Sequence, residues 1–134
     1  MQQALKKRLS ASVNDIDNGN FLLSFQHLDR EQGQSFEHWQ MSQKLSEAMH
    51  TLWNYCLRPL REQLDGDKFT EYGNFPPSDK TSFYHPRQVP PDANWARIHV
   101  DGVHCLIGHI VRNVFYVVFF DENHEFWHST LKNT

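Results

Sequence analysis

The sequence predicts one α+β domain in which an N-terminal helix and strand and a long helix, kinked or broken, precede a C-terminal antiparallel β-meander packed on the helices. Three observations predict it. Apolar residues between Leu45 and Leu64 recur at helical spacing. The stretch from Trp95 to Asp121 alternates as strands do and is punctuated by two turn dipeptides. A chain of 134 residues, 39% hydrophobic and 13% aromatic, has the length and the burial capacity of a single ordered domain over residues 1–134.

Taken in order, residues 2–13 suit a short helix with Ala4, Leu5 and Leu9 on one side, and the polar run from Asn14 to Asn20 suits a turn. Residues 21–28 set Phe21, Leu23 and Phe25 against Ser24 and Gln26, a strand pattern. Ser35 is placed to cap a helix with Glu37 in its first turn. Leu45, Met49, Leu52, Trp53, Cys56, Leu57, Leu60 and Leu64 then form one apolar stripe, which Pro59 interrupts and Gly66 ends. Residues 65–94 hold five of the six prolines and show no period, but they carry Phe69, Tyr72, Phe75, Phe83 and Tyr84. Those aromatics predict an ordered loop lying across the sheet or lining a cleft.

No run approaches the roughly 18 to 20 apolar residues of a membrane span, and the start of the chain, with Lys6, Lys7 and Arg8, lacks the apolar stretch of a signal peptide. A cytoplasmic protein with no membrane partner is expected. Cys56 and Cys105 sit in apolar segments without a C-x-x-C pair and read as reduced, buried thiols. The formal charge of −3 gives a polyanion no general attraction, so a nucleic-acid role would need a local basic patch.

Nine histidines direct attention to the meander. Asp101-Gly102 and Arg112-Asn113, read as two-residue turns, fix the registers: His99 faces His104, Arg97 faces Leu106, and His104 faces Asp121. His99, His104 and Asp121 would form a row with Arg97 one step along. The row admits three readings: Asp121 orients His104 as a general acid or base while Arg97 binds an anion, the two imidazoles and the carboxylate hold a divalent metal, or the row decorates a solvated sheet end. The opposite face, with Ile98, Val100, Val103, Cys105, Ile107, Val118 and Phe120, should pack on the helices. His109 and Tyr116 pair on that face as a hydrogen-bonded couple at the core edge.

Beyond the last strand, Asp121, His124 and His128 admit two readings, a metal approached from a turn or a polar turn that leads to Phe126 and Trp127 as anchors, and the second is favoured because neither their spacing nor the ligand set is diagnostic of a metal. In the long loop, His85 and Arg87 beside Tyr84 offer a cation and an aromatic platform of the kind that holds a base and its phosphate.

The order strand, helices, meander, together with Trp95-Ala-Arg-Ile-His and Asn113-Val-Phe-Tyr-Val-Val-Phe-Phe-Asp, resembles the RelE/ParE-like toxin superfamily. The end of the chain, Val114 to Phe120 with Asp121, His124, Phe126 and Trp127, also resembles small bacterial proteins that end in a vFyvvFlDxxHxFw pattern and bring no established activity. The first resemblance implies cleavage of ribosome-bound mRNA by basic and tyrosine residues on the sheet face, or gyrase poisoning. Carried over by position, Arg97, His104 and Arg112 would be the basic residues and Tyr84 or His85 the loop contribution.

Two functions follow as expectations. One is a toxin-like endoribonuclease needing neither metal nor other cofactor, with His104, Asp121, His99 and Arg97 catalytic and Tyr84, His85, Arg87 and Arg112 binding substrate. Its partners would be RNA or the ribosome and a cognate antitoxin. The other is a non-catalytic module that binds a protein through the aromatic loop 65–94 and the sheet edge.

Overall fold

The structure, a computed structural model, describes residues 19–128. The helix expected over residues 2–13 lies outside the described residues. The elements are β1 (Leu22–Ser24), α1 (Phe36–Met41), α2 (Leu45–Tyr55), β2 (Phe69–Gly73), β3 (Trp95–His99), β4 (Cys105–Val111) and β5 (Val114–Asp121), with 3-10 turns at Arg61–Gln63 and Ser78–Lys80. The fold is α+β, as expected, but its sheet is mixed. The strand order is β1-β5-β4-β3-β2, with β1 parallel to β5 and every other pair antiparallel. β1 is separated from the meander by both helices and joins its open edge, where the Leu22 N–H reaches Asn113 O.

Two helices replace the one interrupted helix. Ser35 caps α1 by accepting from the His38 N–H, and the chain breaks at Gln43, whose φ of 64° is incompatible with a right-handed helix. α2 stops before Pro59, where the Gln63 side-chain amide donates to Tyr55 O, Arg58 O and Pro59 O and so satisfies carbonyls that a helix end leaves free. The expected stripe divides. Leu45, Leu52, Cys56, Leu60 and Leu64 face the core, whereas Met49, Trp53 and Leu57 are exposed, because eight apolar residues span more arc than one sheet can cover.

The sheet is covered on both sides. On the helix side Ala96, Ile98, Leu106, Ile110, Phe115, Val117 and Phe120 pack with Phe21, Trp39, Ala48 and Leu52. On the other side Trp95, Cys105, Ile107, Val118, Phe119 and Phe126 pack under the loop. That loop contributes β2 and several of its aromatic rings: Phe83 stacks on Phe119 at 4.4 Å, and Phe75 meets Trp95 at 5.1 Å and Phe126 at 5.4 Å. Double coverage explains why six of the seven β4 residues are buried.

The two hairpins differ. Arg112 has φ 60° and Val111 pairs with Val114, so the β4–β5 turn has two residues as expected. The β3–β4 connection is longer. Asp101 accepts from the N–H groups of Val103 (2.8 Å) and His104 (2.6 Å), and Val100 N–H reaches His104 O, so strand pairing resumes only at Cys105. His99 therefore faces Cys105, Ile98 faces Leu106 and Arg97 faces Ile107. The one-residue slip moves Cys105 and Ile107 to the loop-covered face, together with Val118, and leaves Ile98 and Phe120 on the helix face as expected. A register shift after Ile107 makes Val118 an extra residue of β5, so Val118 and Phe119 both belong to the loop-side cluster.

Gly108 sits at that bulge, where an added Cβ would clash with the backbone oxygen of Tyr116. Gly108→Ala is expected to destabilise the fold by roughly 1–3 kcal/mol in urea unfolding, the range for overpacking a tight interior. Gly102→Ala, with nothing within 4 Å of its Cβ, serves as the comparison and should change stability little. Equal effects of the two would show that the bulge contact is not close.

Candidate functional site

At one end of the loop-covered face, strand pairing places Arg97 and His99 on β3 beside Cys105 on β4 and Asp121 on β5. β2 adds Thr70 opposite Arg97, and Tyr72 follows two residues along the same strand. The turn after β5 adds His124, held at φ 57°. Asp121 builds that turn: its buried carboxylate accepts from the N–H groups of Glu125 and Phe126, each at 2.9 Å, while Phe126 is anchored in the core.

The polar atoms are close. Cys105 Sγ lies 3.4 Å from His99 Nδ1, which itself donates to Asp101 O at 3.0 Å. The His99 and His124 rings are 5.3 Å apart. Arg97 Nη1 donates to Tyr72 Oη at 2.7 Å and lies 3.5 Å from His124 Nε2, while Nη2 donates to Asp67 O and Thr70 Oγ1. One ligand atom from each of His99, Cys105 and His124 lies within 4.8 Å of the others. His99 also lines a cleft of about 630 Å³ with Thr51, Tyr55, Asp67 and Lys68.

Burial sets the protonation of the group. It lowers the pKa of His99, with the Arg97 charge acting in the same sense, so the ring is neutral at neutral pH. Burial pushes the Cys105 thiol up to about 12, and the Asp121 carboxylate adds to the rise. The thiol is thus protonated and inert as a nucleophile at neutral pH. Burial likewise raises the phenol of Tyr72.

Of the residues singled out in the sequence, Arg97, His99 and Asp121 come together here. His104 does not. It projects from the helix side, where its Nδ1 lies 3.0 Å from Asp101 Oδ2 and its ring meets Trp39 edge-on. Arg112 is at the opposite end of β4, exposed in the turn. Tyr84 and Arg87 line a separate cleft of about 610 Å³ with Asp29, Arg30 and Glu31, and the His85 ring packs on Phe75 and Trp95. From the sequence, Cys105 reads as a core thiol, His124 as a turn residue or, with Asp121 and His128, a metal ligand, and Tyr72 as a loop aromatic. The spacing of Asp121 and His124 was the available signal for His124. Nothing in the sequence paired Cys105 with His99, because that pairing depends on the length of the Asp101 turn.

The pair expected between His109 and Tyr116 is present, with rings stacked at 4.9 Å, but the hydrogen bond of His109 goes elsewhere. His109 Nε2 lies 2.9 Å from His27 Nδ1, and the His27 ring stacks on Tyr116 at 4.5 Å. His109 Nδ1 is buried with no partner among the described residues.

No family model, curated protein or solved structure matches the chain. Among the described residues no helix is long and apolar enough to cross a membrane.

Burial, reinforced by the neighbouring His27 and His85, lowers the pKa of His109 to about 4, which makes it a pH-dependent element of stability. Above the ordinary histidine value of about 6.5, both folded and unfolded chains carry it neutral, so it adds no pH dependence. Between pH 6.5 and about 4 the unfolded chain takes up a proton that the folded chain refuses, and stability falls as pH falls. Urea midpoints across that window should drop more steeply for the wild type than for His109→Gln. Parallel pH profiles would show that His109 protonates freely in the fold.

Proposed function

We propose that the protein is a toxin-like RNA-cleaving enzyme that works without a metal, and that its chemistry lies at His99, His124 and Arg97. The observation that carries the reading is the meeting of two imidazoles and a guanidinium, with Tyr72 alongside, on the sheet face opposite the helices. The order of elements on which the RelE/ParE-like resemblance rests, a strand, helices and a meander, is the order of the chain.

Cleavage of RNA by its own 2′-hydroxyl requires a base, stabilisation of a negatively charged phosphorane and a proton for the leaving oxygen. Because His99 Nδ1 donates to Asp101 O, Nε2 carries the free lone pair, and the lowered pKa keeps that ring unprotonated. His99 Nε2 takes the 2′-hydroxyl proton as the oxygen attacks phosphorus. Arg97 offsets the charge that accumulates on the non-bridging oxygens. His124 gives a proton to the 5′-oxygen as the P–O5′ bond breaks, leaving a 2′,3′-cyclic phosphate and a 5′-hydroxyl. Asp121 acts through the turn that carries His124 and is a positioning residue. Tyr84, His85, Arg87 and Arg112 lie away from this point and would contact more distant parts of an RNA or ribosome, and a cognate antitoxin would cover the face.

The interaction-module reading has less support, since Tyr72, Phe75 and Phe83 are packed in the protein's own loop-side cluster and Tyr84, 57% exposed, is the loop aromatic left to meet a partner.

The test is cleavage of free and ribosome-bound RNA by purified protein in the presence of a chelator. His99→Gln should retain the fold and lower the rate by about two to four orders of magnitude, the usual contribution of a general base. His104→Gln should leave the rate near that of wild type. Loss of cleavage in His104→Gln but not in His99→Gln, or no cleavage of either RNA by the wild type, would remove this reading.

A further inference from the structure

We propose that His99, Cys105 and His124 form a binding site for a divalent transition-metal ion of the zinc class. The site draws one ligand from each of three places: strand β3, strand β4 and the turn after β5. His99 and Cys105 are direct cross-strand partners, which fixes their Cβ atoms side by side. Bond lengths of about 2.3 Å to sulfur and 2.0–2.1 Å to nitrogen at a tetrahedral angle put two donors roughly 3.5 Å apart. The separation of His99 Nδ1 and Cys105 Sγ is 3.4 Å. His124 completes a set whose ligand atoms all lie within 4.8 Å of one another, and it stands on a polar turn, where a shift of about an ångström closes the remaining gap without disturbing a strand.

The donor chemistry selects the ion. A thiolate with two imidazoles favours zinc and its neighbours and disfavours magnesium and calcium, which take oxygen. Three protein ligands leave the fourth tetrahedral position to water or an anion. On binding, the Cys105 S–H proton leaves to solvent and a sulfur–metal bond replaces it, while the His99 Nδ1 proton, hydrogen-bonded to Asp101 O in the free protein, is lost to solvent as Nε2 takes one up, so the ring stays neutral. Charge is balanced locally. The thiolate and the Asp121 carboxylate offset the ion, and Arg97 is already bound by Tyr72, Thr70 and Asp67 O.

The site itself stands on this geometry alone; its consequence for cleavage rests on the RNA-cleaving reading. A metal on His99 Nδ1 leaves Nε2 protonated and unable to act as a base, and it occupies His124 as well. Zinc would then switch the enzyme off.

Cobalt(II) titrated into the full chain tests the site without RNA. A near-ultraviolet thiolate-to-cobalt charge-transfer band is expected, and zinc should displace it. Because the chain has two cysteines, Cys56→Ser should keep the band and Cys105→Ser should lose it. His124→Gln, altered only in a turn, should fold normally and weaken zinc binding by more than about tenfold, the least that disturbing even the outer shell of such a site costs. Absence of the band in the wild type, its survival in Cys105→Ser, or undiminished zinc affinity in His124→Gln would overturn the proposal. Cleavage assays of the chelated and zinc-loaded protein separate the two ideas. A chelated protein that binds zinc yet never cleaves RNA removes only the enzyme reading, and one that cleaves equally well with zinc bound removes the switch.

Discussion

The Asp101 carboxylate accepts from the N–H groups of Val103 and His104 through one oxygen and holds Lys44 at 2.8 Å through the other. Burial works against this carboxylate, but Lys44, the two N–H groups and the His104 ring outweigh it and hold its pKa well below the usual range. With four partners on one side chain, the β3–β4 connection is closed by Asp101 itself rather than by a two-residue turn. Register, face and site follow from that closure. A tighter turn would put His104 opposite His99 and turn Cys105 toward the helices, since strand side chains alternate with a period of two. Lys44 lies just before α2, so the same carboxylate also ties the turn to the helical layer.

Burying polar groups in a sheet covered on both faces is costly without a partner or an opening, and His109 Nδ1 and Arg97 Nε are buried atoms that lack a partner among the described residues. The helix side carries the larger apolar cluster, with His104 at its edge. The loop side divides into an apolar centre around Trp95, Phe119 and Phe126 and a polar end at Arg97, His99, Cys105 and Asp121. Arg97 makes that end tolerable. Its guanidinium binds β2 through Thr70 and Tyr72, reaches the Asp67 carbonyl and lies beside His124, so one cation joins the edge strand, the centre of the sheet and the C-terminal turn. The loop is fastened at its far side too, where Ser82 N–H meets Glu125 O and His128 N–H meets Lys80 O.

The two imidazole clusters have opposite characters. His27, His109 and Tyr116 stack face to face with His109 buried and the other two rings half-exposed, and the low pKa of His109 reflects a ring kept neutral by burial and by the neighbouring His27 and His85. His99 and His124 meet at the rim, with a cleft on one side and a thiol on the other. Chemistry needs a cleft as well as reactive groups, and His99 lines one.

Local chemistry was readable without the fold. Ser35 capped a helix, Arg112-Asn113 closed a two-residue hairpin, and the Phe21, Leu23, Phe25 alternation faced the core, because each depends on neighbours a few residues away. The loop aromatics predicted a segment laid across the sheet for the same reason of composition. What the sequence could not determine was anything that depended on how far a turn extends or which segments meet. Asp101-Gly102 looks like a two-residue turn until its carboxylate finds Val103, His104 and Lys44, and that one residue of difference exchanges His104 for Cys105 beside His99. The parallel pairing of β1 with β5, the strand inside the long loop, and the approach of His124 to Arg97 and His99 join residues distant in sequence. Tertiary structure alone decided them, because in a sheet the register across one connection sets the face of every residue that follows.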